Sequence, residues 1–152
     1  MNYQHEALDC YIAGPWFTPE QDEIIENIKM ILKSNDQTFF SPKDDCLFDP
    51  QTMTPKEVLD TNIDALNMCD YVVCVTDGRD AGTLFEAGWS FANNIPIIYL
   101  WLGGKPEDKF NLVLAASGAV CRSYEHLEQA IDDRIWTGEV EIKTYGESLS
   151  YE

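Results

Sequence analysis

The chain is 152 residues long, 45% hydrophobic and 12% aromatic, with 27 acidic against 10 basic residues and a net charge of −17. A chain of this length buries roughly 68–70% of the surface its unfolded form exposes, so a single domain over residues 1–152 with one sizeable core is expected. The charge has the wrong sign for a nucleic-acid polymer, no run of about 18 apolar residues suits a membrane span, and the start MNYQHEALD lacks the layout of a signal peptide, so a cytoplasmic protein is expected.

The first predicted element is a short apolar strand over Asp9–Ala13. Tyr11 within it reads as packing, or as a hydroxyl presented to a carboxylate near the strand's carboxyl end. Gly14-Pro15-Trp16-Phe17-Thr18 then occupies the place where a nucleotide-binding α/β protein puts its glycine loop. One glycine beside two bulky aromatics cannot bring backbone N–H groups close to a phosphate, and neither G-x-G-x-x-G nor a P-loop is present. Trp16 and Phe17 are either core or a wall for a flat ring.

Two helix starts are nearly identical: Thr18-Pro19-Glu20-Gln21 and Thr54-Pro55-Lys56-Glu57. In each the threonine caps free N–H groups, proline fits the first helical position, and Gln21 or Glu57 can complete a capping box. Ile24, Ile28, Ile31 and Leu32 form the apolar face of the first helix, and Leu59, Ile63 and Leu66 that of the second. Asn62 and Asp64 lie on this second helix, where an amide such as Asn62 reads as a core or capping group or as a ligand contact. A strand over Thr38–Ser41 falls between the helices; further strands are predicted at Tyr71–Thr76, Pro96–Trp101 and, briefly, Ala119–Arg122. A last helix, from about Tyr124 to Asp133, is capped by Ser123, and the tail 135–152 shows no periodicity. Strands alternating with helices argue for right-handed crossovers and an open, mostly parallel α/β sheet of five strands, doubly wound, with helices on both faces.

Five cysteines, an odd number with no C-x-x-C pair, sit mostly in apolar segments and read as buried reduced thiols. His5 and His126 are the only histidines, and no His and Cys stand at ligand spacing, so no metal site is expected.

In such a sheet the ligand crevice lies beyond the carboxyl ends of the strands, which selects the loops Gly14–Thr18, Asp77–Gly82 and Gly103–Asn111. The stretch DAGTLFEAGWSFAN, Asp80 to Asn93, leaves the second of these loops with Glu86 in an apolar and small-residue run and no lysine or arginine within five residues. Either the helix turns Glu86 outward and Asp80 is merely its cap, or two carboxylates share a partly dry site with different proton affinities. Glycosyl chemistry uses such a pair, one carboxylate attacking the anomeric carbon. Asn111 is a capping group or a ligand contact.

Taken together, these residues resemble the nucleoside 2-deoxyribosyltransferase family. The likeness lies in Tyr11-Ile12-Ala13-Gly14-Pro15-Trp16-Phe17-Thr18, in Asn62 through Asp70-Tyr71-Val72-Val73, in Asp80 through Gly88, and in Phe110-Asn111-Leu112, and it covers roughly residues 8 to 122. It implies a flavodoxin-like (Rossmann-like) fold, no cofactor, and exchange of the base of a 2′-deoxyribonucleoside for a free nucleobase through a covalent deoxyribosyl-enzyme. Glu86 would be the nucleophile and Tyr11 would hold it. Asp80 would bind sugar or base, with Gly14, Trp16, Phe17, Asn62, Asp64 and Gly82 around the substrate. Asn111 and, from the tail, Tyr151 would complete the site of a neighbouring subunit in a homo-oligomer. The resemblance departs at Asn62, where several members have an aspartate: an amide cannot donate a proton, so protonation of the leaving base falls on Asp80, Asp64 or water. Two other functions compete. One is a nucleoside 5′-monophosphate N-glycosidase, which Pro15-Trp16-Phe17-Thr18 opposes because it offers nothing to a phosphate; the other is a non-catalytic nucleotide-binding module, opposed by the full set Tyr11, Asp80, Glu86 and Asn111.

Overall fold

A computed structural model describes residues 7–105 and 107–152, so His5 of the metal argument and Pro106 of the Gly103–Asn111 loop lie outside the described residues. In chain order the strands are β1 (Leu8–Ala13), β2 (Phe39–Phe40), β3 (Cys69–Val75), β4 (Ile97–Leu100), β5 (Lys109–Phe110), β6 (Ala119–Cys121), β7 (Thr144–Tyr145) and β8 (Ser150–Tyr151). The helices are α1 (Pro19–Ser34), α2 (Pro42–Asp45), α3 (Pro55–Met68), α4 (Ala81–Ala92), α5 (Leu112–Ser117) and α6 (Tyr124–Asp132).

The main sheet runs β2-β1-β3-β4-β6-β7 and every pairing in it is parallel. It has six strands where five were expected, and the sixth, β7, comes from the tail. Only two residues long, β7 is held by backbone bonds from Val120 to Lys143 and from Arg122 to Tyr145, pairings that leave no local pattern. The tail also supplies β8, which pairs with β5 in a separate two-stranded sheet.

Side-chain alternation along the strands divides the core in two. Cys10 and Ile12 of β1, with Tyr71, Val73 and Val75 of β3, face α1 and α6. Tyr11 and Ala13, with Val72 and Cys74, face α3 and α4. All five cysteines are free and buried. Truncating a fully buried side chain such as Leu32 or Leu66 to alanine costs about 2–5 kcal/mol.

Both threonine starts form. Thr18 and Gln21 make a reciprocal capping box, and the Thr54 side chain accepts from the Glu57 N–H. The helix faces are rotated slightly from expectation. In α1 the buried positions are Ile25, Ile28, Lys29 and Leu32, with Ile24 and Ile31 only partly covered. In α3, Ala65 and Leu66 are buried and Leu59 is 43% exposed, so burial is confined to the C-terminal half of the helix.

Candidate active site

Alternation along β1 points Tyr11 at α4, and this creates the central contact of the site. The Tyr11 side chain is fully buried and stacks on Phe40 at 5.5 Å between ring centroids. Its hydroxyl donates to Glu86 Oε2. Glu86 is therefore not turned outward: it is half-buried, on the inner side of α4. Burial pushes its carboxyl up to about 7, the neighbouring Asp80 pushes in the same direction, and the Tyr11 hydrogen bond pulls against both. Burial and the Glu86 charge drive the Tyr11 phenol far above its ordinary range, so it stays a donor.

Asp80 is the N-cap of α4, and its Oδ2 accepts from Thr83 N at 3.0 Å and Thr83 Oγ1 at 2.9 Å. The capping role and the site role coincide in this residue, because the helix starts at the rim of the cavity that Glu86 lines. The loop leading to it turns sharply: Gly78 has φ +82° and Arg79 φ +50°, a left-handed conformation that costs a non-glycine residue on the order of 1 kcal/mol. Asp77 anchors this turn by accepting from the backbone N–H groups of Leu102 at 2.9 Å and Gly103 at 2.6 Å.

The cavity holds about 160 Å³. Glu86, Asp80, Gly82 and Asn62 line it together with Gly14, Trp16 and Phe17, so two of the three predicted loops, Gly14–Thr18 and Asp77–Gly82, meet there, while the third, Gly103–Asn111, borders a separate hollow. Gly14 serves close packing: a Cβ on it would meet Ile25 Cδ1 at 2.9 Å and Val75 Cγ2 at 3.0 Å. Phe17 is 72% exposed, Trp16 is half-buried, and their rings lie 5.1 Å apart, so Phe17 is a wall and not core. The Asn62 Oδ1 is buried with no hydrogen-bond partner among the described residues. Leaving a buried acceptor unpaired costs about 1–3 kcal/mol, a cost that a hydrogen bond from a bound molecule would remove.

Three expected residues lie elsewhere. Asp64 is exposed and does not line the cavity, because α3 turns it to the side opposite its buried residues. Asn111 is exposed and caps α5, its Oδ1 accepting from Val113 N at 2.9 Å and Leu114 N at 3.1 Å. It borders a second hollow of about 430 Å³ with Arg79, Trp101 and Glu152. Tyr151, 54% exposed on β8, lies over a third hollow beside Leu112. Within one subunit neither Asn111 nor Tyr151 reaches the cavity of Glu86.

Sequence reasoning missed Pro42 and Thr83, which line the cavity, and the anchor Asp77. Pro42 had a signal: Ser41-Pro42 directly after a strand is a helix start, and α2 begins there. Asp77 had none, since its partners lie 25 residues away.

The profile of the nucleoside 2-deoxyribosyltransferase family matches residues 10–116. The chain belongs to this family. The match spans Tyr11, Asn62, Asp80, Glu86 and Asn111 and stops short of Tyr151. No sequence among curated proteins matches the chain. Solved structures do. The 2-deoxyribosyltransferase of Bacillus psychrosaccharolyticus is 21% identical at a TM-score of 0.67, over 79% of this chain and 90% of its own. The enzyme of the same kind from Leishmania mexicana is 21% identical at 0.61, over 88% and 99%. A CMP N-glycosidase from Clostridium botulinum is 19% identical at 0.57, over 83% and 98%. The family's α/β fold, with its parallel sheet, is the fold of this chain.

Proposed function

We propose that the protein transfers the 2-deoxyribosyl group of a deoxyribonucleoside to a free nucleobase, with Glu86 as nucleophile. The observation that carries this reading is the Tyr11–Glu86 hydrogen bond at a half-buried cavity. Tyr11 occupies Oε2 and leaves Oε1 to attack C1′. As the Oε1–C1′ bond forms, the C1′–N bond breaks and its electron pair leaves with the base. The acceptor base then attacks C1′ through a ring nitrogen, the ester bond breaks, and the carboxylate is regenerated while the acceptor's N–H proton passes to solvent. Asp80, fixed in place by its bonds to Thr83, faces the sugar, Asn62 hydrogen-bonds the substrate, and Trp16 and Phe17 stack on the base. With Asn62 an amide and Asp64 outside the cavity, the leaving base takes its proton from Asp80 or water.

A cavity of about 160 Å³ is small beside ordinary ligand pockets of about 300–1,000 Å³. This favours a homo-oligomer in which a second copy closes the site, and the exposed Asn111 and Tyr151 are the groups it brings. A second reading, N-glycosidase action on a nucleoside monophosphate, draws on the Clostridium botulinum neighbour. Against it, the described residues lining the cavity include no lysine or arginine to receive a phosphate.

The test compares deoxynucleoside, ribonucleoside and deoxynucleoside 5′-monophosphate as donors, each with and without a free base, with products separated by chromatography. The expected result is new deoxynucleoside from the first donor, formed only with acceptor present. Sugar phosphate as the main product from the monophosphate, even with base in excess, decides for the N-glycosidase.

A further inference from the structure

Positive charge is scarce in this chain, yet two of its ten basic residues meet on one seam between α1 and α2. Lys29 of α1 is only 5% exposed, a buried ammonium that the proposed reaction does not use. It pairs with Glu26 at 2.9 Å and with Asp44 of α2. Lys43 of α2 pairs with Asp22 in the first turn of α1 and with Glu26 at 3.0 Å. Glu26 thus joins the two lysines, and the five side chains form one line of alternating charge: Asp22, Lys43, Glu26, Lys29, Asp44. Burial pulls Lys29 down, but the hydrogen bonds to Asp44 and Glu26 outweigh it, so the ammonium stays charged. Bonds from Lys29 and Lys43 hold Glu26 below the usual carboxylate range.

Stability does not account for this line. Exposed ion pairs add little, and a buried ammonium carries a desolvation cost that an apolar side chain would avoid. What a network of opposed charges supplies is a fixed geometry, and here it fixes two walls of the cavity. Pro42, which lines the cavity, immediately precedes Lys43. Trp16 and Phe17, which also line it, lead straight into α1, and Gln21 of that helix accepts from the Phe17 N–H at 2.9 Å. The seam therefore joins the segment that carries Pro42 to the segment that carries the two aromatic rings.

We propose that the Asp22–Lys43–Glu26–Lys29–Asp44 line is a positioning clamp that holds the Pro42 wall against the Trp16–Phe17 wall and so sets the width of the end of the cavity that takes the base. Lys29 acts through those walls and touches no reacting atom. The assignment of that end to a base rests on the proposed function; the clamp itself is a statement about geometry, and the experiment separates the two.

Three variants are compared with the wild type: Lys29→Met, which removes the charge and keeps the length; Lys29→Arg, which keeps the charge; and Asp44→Asn at the exposed end of the line, which does not depend on the fold tolerating a change at a buried site. Amide hydrogen exchange is followed over residues 14–18 and 41–46, and KM and kcat are measured for deoxynucleoside and free base. The clamp predicts that Lys29→Met and Asp44→Asn speed exchange in both segments and raise KM about tenfold with kcat within about twofold, the signature of lost ground-state binding, while Lys29→Arg stays near wild type. Faster exchange confined to 41–46, or unchanged KM despite faster exchange in both segments, overturns it. A wild type inactive on every deoxynucleoside sinks the proposed function instead, and exchange at 14–18 alone then decides the clamp.

Discussion

The surroundings of Glu86 and those of Asn111 are built in opposite ways. Tyr11 and Glu86 come from a central strand and from a helix packed on it; Tyr11 is fully buried, and Phe40 fixes its ring from the side. Asn111 and Tyr151 sit beside or on a ladder of two residue pairs between β5 and β8, both exposed, next to Leu112 and Val113 at 54% and 66% exposure. The first arrangement holds its donor and its carboxylate in contact before any substrate arrives. The second carries polar and apolar side chains outward toward solvent, with Asn111 held by its cap on α5 and Tyr151 beside Leu112. This is what the proposed roles require: a nucleophile needs preorganisation, which rigid elements give, whereas groups proposed to serve a neighbour must be on the surface.

The comparison breaks hardest at Glu86. Glu86→Ala is expected to lose transfer by about four orders of magnitude or more, since no other described carboxylate of the cavity is free of a capping role. Glu86→Gln should match that loss while still binding deoxynucleoside. Near-normal turnover in either variant would move the chemistry away from the buried region altogether. Tyr11→Phe keeps the ring and its stacking on Phe40 but removes the hydroxyl, and a loss of about 10–100-fold in kcat/KM is expected. Its pH profile is the sharper readout. In the proposed reaction Glu86 attacks as the carboxylate, so wild-type kcat/KM should rise with pH through about 7. The Tyr11 bond is what lowers that value, so the phenylalanine variant should move the acidic limb upward. A limb that stays put or moves down would show that Tyr11 does not hold the nucleophile.

Legibility in the sequence followed the same division. β1, β3 and β4, the two Thr-Pro helix starts and the meeting of the Gly14–Thr18 and Asp77–Gly82 loops could be read because each rests on an apolar run, a cap or the place where a parallel sheet ends its strands, whereas the Gly103–Asn111 loop borders the separate hollow beside Asn111. Glu86 stood out because its neighbours in sequence are apolar. β7 and β8 were invisible, since two-residue strands are defined by partners such as Val120 and Phe110 far along the chain. Asp64 misled for a related reason. It lies two residues from Asn62, and a helix turns residues two apart to different sides, so only the realised face of α3 separates them.

A smaller effect concerns the cost of keeping Glu86 half-buried. Its folded value near 7 stands above the ordinary 4.5, so between those pH values the native state keeps a proton that the unfolded chain releases. Stability contributed by this group is therefore fully present below about 4.5 and lost as the pH rises through about 7. Glu86→Gln does not titrate. It should be more stable than wild type by about 1–3 kcal/mol at pH 8, with the difference closing at pH 4.5. Urea midpoints at the two pH values check this, and a difference independent of pH would mean that Glu86 is not strained by its burial.

The smallest expected effect, and the one that best separates the two regions, is at Asn111. Its Oδ1 caps α5 through Val113 N and Leu114 N, so Asn111→Ala should cost about 1 kcal/mol of stability and blur any functional reading. Asn111→Asp keeps the cap, because aspartate caps as well as asparagine, but replaces the amide donor with a negative charge. If Asn111 only caps, this variant keeps wild-type stability and wild-type transfer. If its amide also enters the cavity of a neighbouring subunit, the added charge comes to face Asp80 and Glu86 there, and transfer should fall about tenfold at unchanged thermal midpoint. Mixed oligomers then give the decisive comparison. A site pairing the Glu86 of an Asn111→Asp subunit with the Asn111 of a Glu86→Gln subunit has both groups intact. Co-refolded mixtures of the two variants should therefore exceed the sum of their separate activities, and a mixture that merely averages them would confine each site, and Asn111, to its own subunit.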